Sequence, residues 1–205
     1  MNCSEHGVEG ERTDEASVVL LRYDADQTIG YGHLSRCRSL GHYLRAKGRD
    51  VIHVLRHADQ AAVDVLKDSE EQCIVVPDDV SLGDEALYIG DAIGGRSIEA
   101  AVLDISTCYN SGDTKSVNEY VESLGQSCTI CLMDSVRDQE LTTHLNARCD
   151  IVVVPYLGFP EPGPLPHVGA FLFGPAYFVF GPEYVHSGSI RREHPDVAKR
   201  ILLTF

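Results

Sequence analysis

His33 is the residue in this sequence best placed to do chemistry. It closes the string Ile29-Gly30-Tyr31-Gly32-His33, and an imidazole can take a proton from water near neutral pH. Gly30 and Gly32 let backbone approach a bound molecule where a Cβ would clash. The residues that follow open a helix, whose first turn offers unpaired N–H groups and a partial positive charge suited to a phosphate or another anion. Such a terminus disfavours an imidazolium and favours a ring able to accept a proton. Arg36, one turn on, is in reach of an anion. Asp24, Asp104 and Asp134 each end a strand-like run, and in an open parallel sheet those ends line the ligand crevice. Aspartate at such positions also caps turns and helices. Of the three, only Asp24 has a loop context that favours a functional role by itself. Ser35 stands where a dinucleotide fingerprint has its third glycine, and no Gly-Lys-Ser/Thr follows, so this is neither of the two common nucleotide loops.

The string needs a strand before it and a helix after it. Residues 17–23 (SVVLLRY) are apolar and β-branched, the length of one buried strand. From Leu34 the apolar positions fall at Leu34, Cys37, Leu40, Gly41 and Leu44, one face of a helix. Gly48 is expected to stop it, with Arg45, Lys47 and Arg49 around its negative end. Further strands are expected at 50–55, 73–76, 100–105, 128–133 and 150–154. Helices are expected at 59–66 with Asp59 as N-cap, at 84–93 before Gly94-Gly95, at 114–124 before Gly125, and at 141–145. Short apolar strands alternating with amphipathic helices predict an α/β fold, a Rossmann-like parallel sheet with helices on both faces. The expected organisation is an acidic disordered tail at 1–16, one Rossmann-like domain at 17–186, and a linker with the first strand of a further domain at 187–205. Prolines 160, 162, 164 and 166 suggest an extended surface connection. Residues 171–180 (FLFGPAYFVF) are apolar enough to require burial against the domain or a partner.

The 205 residues carry 31 acids against 17 bases, a net charge of −14, which argues against non-specific binding to nucleic acid or anionic membrane. No apolar run approaches the ~20 residues of a membrane span, and the acidic N-terminus lacks the apolar core of a secretory signal. Seven cysteines scattered through a chain of this size suit reduced thiols in a cytoplasm. Cys128-Thr-Ile-Cys131 has the spacing of a redox or metal pair, but inside a strand positions i and i+3 face opposite ways. Asp24-Ala-Asp26 has metal-binding spacing and equally fits turn chemistry. His42, His53 and His57 are expected on surfaces or in core gaps, and His144, His167, His186 and His194 lack ligand spacing. No metal or cofactor is expected, and there is no Gly-x-Ser-x-Gly elbow.

Arg22-x-Asp24-Ala25 followed by Ile29-Gly30-x-Gly32-His33-x-x-Arg36-Cys37 resembles the N-terminal motif of the UDP-2,4-diacetamido-2,4,6-trideoxy-β-L-altropyranose hydrolases, the nucleotide-sugar hydrolases of pseudaminic acid biosynthesis. They are similar to the GT-B group, in which two Rossmann-like domains enclose a nucleotide sugar. The segments 48–54, 102–104, 132–134 and 149–152 resemble the family's later strands. Phe173-Gly174-Pro175-Ala-Tyr177 and Pro182-Glu183-Tyr184 resemble its approach to the C-terminal domain. Two segments depart from the pattern. Asp104-Ile-Ser106 stands where the family usually has aspartate-x-tyrosine, and Asp134-Ser135 where it tends to have paired aspartates. The resemblance implies the N-terminal half of a GT-B fold that hydrolyses a UDP-linked diacetamido sugar. His33 would be the general base, with substrate contacts at Asp24, Gly30, Tyr31, Gly32, Arg36 and Asp104. A partner chain would supply the C-terminal nucleotide-binding domain. Two other readings stay open: half of a GT-B glycosyltransferase, and a non-catalytic sugar-binding domain.

Overall fold

A computed structural model describes residues 17–105, 114–125, 128–133, 146–156 and 165–185. The calls on the 1–16 tail, Asp134-Ser135, the helix at 141–145, the prolines at 160–164, Ser106, His144, His186, His194 and the segment 187–205 lie outside these residues.

Strand β1 (Val18–Ala25) is buried along its whole length and pairs in parallel on both sides, with β2 (Asp50–Ala58) and with β4 (Ile98–Asp104). Beyond β2 lies β3 (Cys73–Val75), and beyond β4 come β5 (Thr129–Met133), β6 (Cys149–Val154) and β7 (Val168–Phe173). The sheet order is β3-β2-β1-β4-β5-β6-β7 with every pairing parallel. The chain is therefore a Rossmann-like α/β domain. The order reverses between β1 and β4, and the carboxyl ends of those two strands flank the crevice where such sheets bind ligands.

Alternate residues of β1 serve opposite layers. Val19, Leu21, Tyr23 and Ala25 pack with Leu34 and Cys37 of α1 (Gly32–Ala46) and with Ala62 and Leu66 of α2 (Gln60–Asp68). Val18 and Leu20 pack with Ile89 of α3 (Leu82–Ala92) and with Val117, Tyr120 and Val121 of α4 (Thr114–Ser123). A sheet covered on both faces needs this double apolar content, which accounts for the unbroken runs in its strands.

The helix signals were legible. Asp59 caps α2 by accepting from Ala62 N–H at 3.0 Å, and Ser81 caps α3 by accepting from Asp84 N–H at 3.2 Å. At the end of α1, Gly48 takes a positive φ of 77°, its N–H donating to Arg45 O at 2.8 Å while Arg49 N–H reaches Leu44 O at 3.1 Å. That pair of bonds is the Schellman stop. Residues 171–180, expected to be buried against the domain or a partner, divide between elements. Phe171 to Phe173 complete the edge strand β7, and after a 3₁₀ turn (Pro175–Tyr177) the chain crosses back over α1 to the short helix α5 (Pro182–Val185). Phe178 and Phe180 keep 41% and 55% of their surface exposed, so burial within the domain is incomplete.

Where β1 turns its even-numbered residues toward α3, the layer is ionic. Arg22 is fully enclosed, its Nε donating to Glu85 at 2.9 Å and its Nη1 to Asp24 at 2.6 Å. Arg56 donates to the same Glu85 at 3.1 Å. Burial alone would raise the pKa of Glu85, but the two arginines outweigh it and hold the acid below its ordinary value. Removing one partner strands the others without water. Glu85→Ala should therefore cost about 3–5 kcal/mol in urea unfolding. The double variant with Arg22→Met should lose less than the sum of the single losses. Additive losses would show that the two groups do not interact.

Candidate active site

At the switch point the side chains of α1 meet the end of β4. The parity of β4 decides which layer Asp104 serves: Leu103 packs with α3 and α4, and Val102 with α1 and α2. Asp104 therefore faces α1, where residues i, i+3 and i+4 of the first turns converge on it. Asp104 is buried, and His33 Nδ1 lies 2.8 Å from Oδ1. The Arg36 guanidinium grips both oxygens in a bidentate pair through Nε and Nη2. Cys37 Sγ approaches Oδ2 at 3.6 Å.

Burial alone would raise the pKa of Asp104. The hydrogen bonds from His33 and Arg36 overcome that and hold it below the usual carboxylate range. An ionised carboxylate only accepts, so His33 Nδ1 carries the proton in this contact and Nε2 keeps its lone pair. Arg36 Nη2 lies 2.9 Å from the same ring nitrogen. As a donor it shares the Asp104 oxygen and takes no part in the ring's proton. The His33 side chain is 13% exposed. The arrangement is a buried acid that fixes the tautomer and direction of a solvent-touching imidazole, the geometry of a general base. Burial and the Asp104 charge push the Cys37 thiol well up, so Cys37 is a weak donor here and not a nucleophile.

The loop before the helix is built by Asp26. Its Oδ1 accepts from Thr28 N–H and Ile29 N–H at 2.7 Å each, and its carbonyl accepts from Gly30 N–H at 2.7 Å. Gly30 takes φ +88°, which a glycine adopts without strain. Tyr31, the residue before α1, offers no side-chain cap. Its hydroxyl instead donates to Asp59 Oδ2 at 2.6 Å, tying the loop to the start of α2. A methyl group built at Gly30 or Gly32 meets no protein atom within 4 Å. The protein leaves that space open, and the first turn of α1 has no acidic residue to occupy its N–H groups.

The sequence-derived set thus divides. His33, Arg36 and Asp104 form one hydrogen-bonded cluster, with Gly30 and Tyr31 in the adjoining loop and Gly32 opening α1. Asp24 lies apart: it faces the α3 layer with Arg22, and its carboxylate also accepts from His57 N–H at 3.3 Å. Asp24, expected as a substrate contact, is buried there, and the carboxylate beside His33 is that of Asp104. Asp26 spends Oδ1 on the turn, so the Asp-x-Asp spacing serves the loop. Among the described residues no group of three or more His, Cys, Asp or Glu could hold a metal ion. Cys128 and Cys131 fall in the cores on opposite faces of the sheet, and burial pushes the Cys131 thiol up to about 12. One residue escaped the sequence reading. Tyr156, just past β6, accepts from Arg36 Nη1 at 2.7 Å. A tyrosine at a strand's carboxyl end, where the aspartates were sought, was the available signal.

An acid held below its unfolded pKa adds stability that is fully present above about pH 4 and is lost as pH falls through the native value. Asp104→Asn should therefore be about 3 kcal/mol less stable than the native chain at pH 7. In urea unfolding the gap should close below about pH 4, and a gap independent of pH would mean that Asp104 is not ionised in the native state. A scan against protein-family models finds no match to this chain and a search of curated proteins finds none, so its functional reading rests on this geometry.

Proposed function

We propose that the chain is a nucleotide-sugar hydrolase that cleaves a UDP-linked diacetamido-trideoxy sugar to UDP and the free sugar. The observation that carries the reading is the His33–Asp104 pair at the switch point, with Nε2 left as a base beside an open, uncapped helix N-terminus. The motif resemblance supplies the substrate.

Water approaches the anomeric carbon while Nε2 of His33 takes its proton. The bond from the anomeric carbon to the β-phosphate oxygen breaks, and its electron pair leaves on UDP. Asp104 holds the imidazolium formed in that step without moving, since its carboxylate already faces Nδ1. Arg36 keeps Asp104 ionised and in place. The N–H groups at Gly32 and His33 are suited to a phosphate or acyl oxygen.

The test is turnover of the UDP-diacetamido-trideoxy sugar by the 205-residue chain, without an acceptor, with UDP followed by ³¹P and free sugar by ¹H NMR. UDP and sugar should appear in equal amounts, and His33→Ala should lower the rate about 10²-fold or more. Release that requires an added acceptor alcohol would identify a transferase. Binding without product would identify a sugar-binding domain. Unchanged turnover in the His33 variant would remove the base assignment.

A further inference from the structure

Tyr156 holds a hydrogen that no described residue accepts. Arg36 is a permanent donor, so in the 2.7 Å contact with Nη1 the phenol oxygen of Tyr156 is the acceptor. Its own O–H must then point elsewhere, and among the described residues it meets no acceptor. The ring is half-buried and held edge-on against Phe178, with centroids 6.4 Å apart at 78°, so the hydroxyl is presented by a fixed ring. The same guanidinium touches His33 through its other terminal nitrogen. One planar group thus sets the spacing between a base, His33 Nε2, and a neutral donor, Tyr156 O–H.

The electrostatics select the acceptor. Arg36 and Asp104 cancel each other in their bidentate pair, and the whole chain carries −14, so the Tyr156 side of the site has no surplus positive charge for a phosphate. A neutral phenol there matches a neutral carbonyl oxygen. We infer that Tyr156 is a ligand-contacting residue of this site whose hydroxyl donates to the carbonyl of an acylated amino sugar, making it a determinant of specificity for acetamido over free amino groups. The inference rests on the sugar-binding reading of the site, and it deepens that reading by assigning the acyl contact.

The test uses Tyr156→Phe, which keeps the ring and removes only the O–H, together with native protein carrying ¹³Cζ-labelled tyrosine. The probes are N-acetylglucosamine (an amide carbonyl and no phosphate), glucosamine (neither), and UDP (phosphate and no acetamide). N-acetylglucosamine should shift the Tyr156 Cζ resonance of the native chain while glucosamine does not. The Phe variant should bind N-acetylglucosamine roughly tenfold more weakly with UDP binding unchanged. Equal binding of N-acetylglucosamine by both proteins, or no shift at Tyr156 in the native chain, would overturn the inference. A loss confined to UDP would also overturn it, by assigning the hydroxyl to a phosphate. If the acyl-dependent shift is present and no UDP-sugar is turned over, the contact stands and the hydrolase reading falls.

Discussion

A carboxylate enclosed at the end of a central strand persists as an ion only if protein groups replace its water. Asp104 obtains that replacement from one helix face. His33, Arg36 and Cys37 all reach it from the first two turns of α1, so the interaction that solvates the acid also docks the helix N-terminus against β4 across the switch point. An unpaired carboxylate here would cost several kcal/mol, enough to make the docking a condition of folding. The direction of the imidazole, the position of the glycine loop and the reach of Arg36 to Tyr156 follow from that one contact.

The domain holds a second buried ionic system, and the two differ in what surrounds them. Arg22, Asp24, Arg56 and Glu85 lie between β1, β2 and α3, and their charges are turned toward one another. Glu85 comes from the first turn of α3, whose N-terminus Ser81 caps, so no open helix terminus faces these charges and the system serves to hold layers together. Asp104 has the opposite setting. It faces a side chain that touches solvent and a helix start whose N–H groups are uncapped. Asp24 and Asp104 sit at the carboxyl ends of neighbouring strands, paired through Tyr23 and Asp104 in register. They diverge because side chains alternate along a strand.

That alternation explains what could and could not be read from the sequence. Periodicity, caps and glycine stops gave the element order and the α/β class, because those signals are local: Asp59, Gly48 and the switch from SVVLLRY to the Leu34–Leu44 spacing each act within a few residues. The choice between Asp24 and Asp104 was not local. When both faces of a sheet are buried, Val18 to Leu21 are all apolar, and nothing in their pattern reveals which face residue 24 will take. The edge strand β7 was hidden for a related reason, since Phe171 to Phe173 continue without a polar break into the aromatic segment that follows. Tyr156 carried one local signal, its place at a strand's carboxyl end, but its contact with Arg36 spans 120 residues and no local pattern shows it.

A base is useful only if its direction is fixed, and α1 fixes it from below as well as from the end. Half-buried Glu71 accepts from Arg38 and Arg45 of α1 at 3.1 Å each, and lies 2.8 Å from His53 Nε2 under the helix. Burial would raise the Glu71 pKa, but the hydrogen bonds from His53 and Arg38 hold it down. Burial also lowers that of His53. With Glu71 ionised, His53 Nε2–H donates to it and Nδ1 accepts the Tyr23 hydroxyl at 3.0 Å. Arg38 and Arg45 thus tie α1 to the turn before β3, and through Glu71 and His53 to β2 and β1, while Asp104 holds its first turns and the Gly48 stop ends it. Side chains on a helix held at three heights keep their geometry better than side chains on a loop. The division of labour follows: His33 and Arg36 ride on the helix, while Gly30 in the loop and Gly32 at the helix's first position leave room before them.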